Sequence, residues 1–154
     1  MARFGLSVRP LTPGERELAR EMFGAGIDPE RVRIATIPFW NRAFVAGPRL
    51  IVWPAGHLPE DFSRASLGQQ AVFVHELTHV WQAQNGVTLL LAKLRAGDSQ
   101  ASYAYDLAGV SDFARLNIEQ QAMVVQHAFL AARGGRTPHP AELYANVKSV
   151  LRRG

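Results

Sequence analysis

The chain has 154 residues, 47% of them hydrophobic and 19% charged, with a formal net charge of +4 and no cysteine. That length and balance predict one globular domain over residues 1–154 with a core of its own, and exclude a disordered or fibrous chain. The missing thiol excludes disulfides, cysteine nucleophiles and every cysteine-bearing zinc site, and the mild basicity, with no dense Lys/Arg run among aromatics, gives no sign of a nucleic-acid partner.

Residues 1–10 contain Arg3 and Arg9 without a continuous apolar core, so they predict no Sec-type leader. The expectation is a chain cytoplasmic as synthesised, whose export would need a non-Sec secretion machine. Thr12-Pro13-Gly14-Glu15 has the form of a capping box with proline at the first helical position, and Leu18, Met22 and Phe23 keep helical spacing behind it. Gly24 and Gly26 stop that helix. Val32 to Ile37 alternates as a strand with Val32, Ile34 and Thr36 on one face, ended by Pro38. Short strands at residues 41–45 and 50–53, with Gly47-Pro48 between them, complete what reads as a small antiparallel sheet.

His57 reads as an ordinary loop histidine, and Asp61, Ser63 and Ser66 are candidate caps for a helix over residues 67–85, closed by Gly86. Residues 87–94 predict a short helix. Asp112 is the expected cap of a long helix over residues 113–132, ended by Gly134-Gly135, and residues 141–152 predict a terminal helix. No apolar run approaches the ~18 residues that span a bilayer, so no membrane partner is expected. The fold class that follows is α+β: a small sheet packed on a buried central helix and a second, glutamate-bearing helix.

The central helix carries His75-Glu76-Leu77-Thr78-His79, an H-E-x-x-H pattern. Positions i and i+4 lie one above the other on a helix, so both imidazoles leave one face about 6 Å apart and reach a single zinc ion. Glu76 sits about 100° further round, placed to hold a water rather than to share the histidine geometry. From residue 65 to residue 92 it is the only formal charge in an otherwise apolar stretch. A lone carboxylate in a buried helix needs compensation, which a metal and its water would provide.

The third ligand has several candidates. The pattern that continues to a glycine and a third histidine is excluded, because Gln82 and Asn85 hold those positions. On a helix over residues 113–132, Glu119 shares a stripe with Leu116, Met123 and Leu130, where a bare carboxylate would need a partner. The competing reading pairs it with Arg115 or Arg95. Asp98 and Asp106 are the runner-up ligands, and Glu142 looks like an ordinary first-turn acid. Asp106, Asp112, Asn117 or Gln82 are candidates to accept an imidazole N–H, and Tyr103, Tyr105 or His127 to stabilise an oxyanion.

Val72 to Trp81 matches the extended zincin pattern, and with Asn117-Ile118-Glu119-Gln120-Gln121-Ala122 it resembles a compact gluzincin-like group of bacterial proteins. These are labelled Vgr-related or Rhs-related and accompany type VI or contractile injection machinery. The resemblance implies His75, His79 and Glu119 as zinc ligands, Glu76 as catalytic base and a minimal metallopeptidase fold. The expected function is a zinc metallopeptidase acting on a peptide or protein substrate. The alternative is a zinc-stabilised, non-catalytic accessory or adaptor partnered with secretion-system components. A zinc hydrolase of non-peptide amides is a minor third reading, and a deformylase is disfavoured by the absent cysteine.

Overall fold

A computed structural model of the chain describes residues 5–97, 103–106 and 112–153. Among the described residues its strands are β1 (Ser7–Pro10), β2 (Arg33–Ile37), β3 (Phe44–Val45) and β4 (Leu50–Pro54). Among the described residues its α-helices are α1 (Pro13–Phe23), α2 (Leu67–Gln84), α3 (Leu89–Ala96), α4 (Ile118–Ala132) and α5 (Val147–Arg152). The architecture is the α+β arrangement expected. None of these helices is long and apolar enough to cross a membrane.

Local chemistry accounts for the helix starts. Thr12 caps α1 by accepting from the Glu15 N–H, while the Glu15 carboxylate accepts from the Thr12 N–H, the reciprocal pair of a capping box. That carboxylate is wholly buried and also receives Arg9 at 2.8 and 2.9 Å and the Phe62 N–H at 3.0 Å. One side chain therefore joins β1, α1 and the 3-10 turn Phe62–Arg64. Ser66 caps α2 with Gln69 as its box partner, whereas Asp61 caps the 3-10 turn instead.

The sheet order is β1-β2-β4-β3. β1 runs antiparallel to β2, and β3 antiparallel to β4, but β2 and β4 run parallel, with Ile34 opposite Ile51. The sheet is thus mixed, where the sequence suggested a wholly antiparallel one. Alternation along a strand sets its faces, not its neighbour. The chain leaves β2 past Phe39, crosses to the far side of β4, and returns through a β3–β4 hairpin in which Gly47 takes φ 85°. β3 is left as an edge strand, as is β1, and only two residues of the predicted 41–45 segment pair.

Two further boundaries moved. Helix α4 begins at Ile118 rather than Phe113, because Asn117 and Gln120 form their own capping box. Asp112 makes no capping bond and precedes only a 3-10 turn, Phe113–Arg115. The terminal segment is likewise a 3-10 turn, Ala141–Tyr144, followed by the short α5.

Helix α2 lies at the centre, buried along Phe73–Val80. Phe73 stacks on Phe62 with ring centroids 4.4 Å apart, and Trp53 from β4 meets Phe62 edge-on at 4.7 Å. On another side Trp81 stacks on Phe23 and donates its indole N–H to the Leu151 carbonyl. A helix apolar almost all round needs cover on every side, and the sheet, α1, α4 and α5 supply it.

Candidate metal centre

His75 and His79 project from α2, and Glu119 from the first turn of α4, all three with little exposure. Their ligand-capable atoms lie within 4.8 Å of one another, the one such group among the described residues. Glu119 Oε2 is 3.4 Å from His75 Nε2 and 3.4 Å from His79 Nε2. N–H···O bonds cluster near 2.9–3.0 Å, so these separations are long for hydrogen bonds. They match the roughly 3.3–3.4 Å edge of a tetrahedron of ligands held at about 2.0–2.1 Å from zinc.

The far side of each ring supports the same orientation. His75 Nδ1 lies 3.0 Å from Gln126 Oε1, and His79 Nδ1 lies 2.9 Å from Gln82 Oε1. The Gln82 amide is held the right way round, because its Nε2 donates to the Ile118 carbonyl at 3.0 Å and to Gln121 Oε1 at 2.9 Å. An amide oxygen accepts, so His79 carries its proton on Nδ1 and turns the Nε2 lone pair towards the centre. Glu76, buried beside the ligands, has an Oε2 atom with no hydrogen-bond partner among the described residues. Convergent lone pairs and an orphaned carboxylate oxygen are the donor set of a cation and its water, so the residues present fit zinc.

The three residues and Lys93 are electrostatically coupled. Burial alone would raise the Glu119 carboxyl, but His75, His79 and Lys93 drive it far below the usual carboxylate range. Burial opposes charge on His79, yet Glu119, Glu76 and Gln82 outweigh it and raise that imidazole. Lys93 on α3 donates to Glu119 Oε1 at 2.9 Å, and its ammonium is pushed up to about 12 against the opposing effect of burial. His75, Glu76, His79, Glu119 and Lys93 line a cleft of about 600 Å³ together with residues 42–47, which include β3.

No protein-family model matches the chain. Over 134 residues it is 36% identical to the type VI secretion system spike protein VgrG2b of Pseudomonas aeruginosa, an alignment taking in 79% of this chain and only 13% of that protein. The solved effector domain of Pseudomonas aeruginosa VgrG2b superposes with a TM-score of 0.64 at 32% identity, covering 98% of this chain and 82% of that one. The chain belongs to the VgrG2b effector-domain family.

Within this VgrG2b-like domain the sequence candidates separate cleanly. Glu119 meets Lys93, not Arg115 or Arg95, and Arg115 pairs with Asp112 instead. Leu116, Met123 and Leu130, the stripe that Glu119 shares, are only half-buried, since the core face of α4 runs through Ile118, Ala122, Val125 and Phe129. Asp106 is exposed, and Asp98 lies outside the described residues. His57 is exposed in its loop, and Glu142 opens the 3-10 turn Ala141–Tyr144. Of the proposed imidazole partners Gln82 takes that place, while Asn117 is spent on capping and Asp112 on Arg115. Tyr103 lines the cleft. The Tyr105 hydroxyl instead bonds His127 Nδ1 and the Tyr144 hydroxyl, and burial together with His139 and His75 holds the His127 imidazole down.

Two participants were missed. Gln126 lies seven residues after Glu119, two turns along one helical face, so its spacing was a usable signal. Lys93 carried none, because nothing local says where the short α3 docks.

Proposed function

We propose that this domain is a zinc-dependent metallopeptidase of the type VI secretion apparatus, acting on a peptide or protein substrate. The observation that carries this reading is the geometry of the triad: three converging ligand atoms lining a cleft, with the Glu76 Oε2 atom, which has no hydrogen-bond partner among the described residues, beside them. His75, His79 and Glu119 would hold the zinc. Bound there, the ion would supply Lewis acidity and lower the pKa of water towards neutrality. The rest falls to the chain. Gln82 and Gln126 keep both imidazoles turned so that Nε2 faces the centre. Glu76 accepts a proton from the attacking water and returns it to the leaving amine. Of the three residues considered for the oxyanion, Tyr103 is the one that faces the cleft.

The test is Glu76→Gln, which removes the base while preserving shape. The variant should bind zinc like the parent and lose cleavage of a peptide library. Turnover that survives the change sinks the assignment.

A second reading, the zinc-stabilised accessory or adaptor, is favoured by the similarity itself: the spike protein this chain matches is named for its place in the secretion apparatus. The two readings differ at the cleft. Zinc-loaded chain that cleaves nothing, while removal of zinc abolishes binding to secretion-system components, would favour the adaptor.

A further inference from the structure

Lys93 is a cation for which the metal site has no ligand role. Its Nζ takes Glu119 Oε1 at 2.9 Å, while Oε2 of the same carboxylate is the oxygen that faces both histidines. The carboxylate is thus divided, one oxygen to the ammonium and one to the centre. Lys93 also donates to the Tyr103 hydroxyl at 3.3 Å, and it reaches the cleft from α3, a helix with no buried residue. Glu119 itself is only 3% exposed. A buried carboxylate without a counter-charge is costly. In the metal-free chain Lys93 supplies that missing charge. The same ammonium repels an arriving dication.

We propose that Lys93 is a resident counter-ion of the triad: it holds Glu119 in place when no metal is bound and loosens the grip on the metal in return. It is a positioning residue acting through Glu119, and the proposal rests on the reading of the triad as a zinc site. The domain would then fold with its ligand set assembled before metal arrives.

The test compares Lys93→Met, Lys93→Gln and Lys93→Arg in the whole chain. Two quantities are read: melting temperature in excess chelator, and zinc affinity by competition with a chromophoric chelator. Met and Gln should lower the metal-free melting temperature and tighten zinc about tenfold, since a repelling charge has gone. Arg should match the parent in both. A salt bridge with a merely structural role would weaken zinc along with stability, so zinc affinity that is unchanged or weaker in the Met and Gln variants overturns the proposal. Unchanged metal-free melting overturns it too. A Met variant that folds only when zinc is added supports it, and if that variant folds under neither condition the Gln variant decides. Failure of the metal reading looks different: the parent itself then binds no zinc, and its melting ignores the ion, which removes the counter-ion role with it.

Discussion

Replacing Gln82 with leucine takes away one amide that serves three partners. The side chain is 1% exposed, and it accepts from His79 Nδ1 while donating to the Ile118 carbonyl and to Gln121 Oε1. Leucine is of similar volume, so little cavity term is added, and the loss is chiefly polar. Three partners left short, at about 1 kcal/mol each, amount to about 3 kcal/mol of stability. For a chain of this size that corresponds to a fall of roughly 6–12 °C in melting temperature. Zinc affinity should fall about 10–100-fold as well, because the His79 tautomer is no longer selected. Gln82→Glu separates the two effects: it keeps an acceptor for His79 but has no donor for Ile118, so it should regain more zinc affinity than stability. Melting curves in chelator and competition for zinc read both quantities. If Gln82→Leu lost stability while its zinc affinity stayed at the parental value, the tautomer argument would be wrong, and Gln82 would only be joining α2 to α4.

Purified chain should carry about one zinc, lost on changing His75 or Glu119 to alanine and measured by elemental analysis. Glu15→Ala should cost about 3–5 kcal/mol in chemical denaturation, because Arg9 and the Phe62 and Thr12 N–H groups lose a buried acceptor together. The surface has its own pH signature. Burial would raise the Glu21 carboxyl, but Arg133 and Lys148 outweigh that and hold it below its usual 4.5. A depressed folded value means stability present above about 4.5 and lost as pH falls through the folded value, so Glu21→Gln should flatten the acid limb of a melting-temperature profile. That flattening should shrink in high salt, since the carboxylate is partly exposed.

Much of the centre was legible because helices announce themselves locally. The i, i+4 histidines, the single charge within an apolar helix and the Ser66 and Thr12 caps all depend on neighbours in sequence. The α4 start is equally local: Asn117 has the chemistry to partner a histidine, but Asn117-Ile118-Glu119-Gln120 is a capping box and takes it for the helix start. The parallel pairing of β2 with β4 and the arrival of Lys93 at Glu119 are of another kind. Each depends on where a segment docks after the chain has crossed the fold, and no residue pattern nearby encodes that. The His127–Tyr105–Tyr144 cluster shows the same limit, since its hydroxyls and imidazole come from three separate segments.

The cleft is lined by two groups of elements of unlike construction. One is α2 and α4, locked by buried side chains and by the Gln82 amide. The other is β3, a two-residue edge strand, together with α3, none of whose residues is fully buried. Amide hydrogens should therefore exchange in two regimes. Those of α2 and α4 would wait for global unfolding, and those of β3 and α3 would exchange through local openings of far lower free energy. A chain so built can change the width of its cleft while its floor stays still. The spacing of His75 and His79, both on α2, would be insulated from such adjustment, whereas Glu119 is tied to α3 through Lys93.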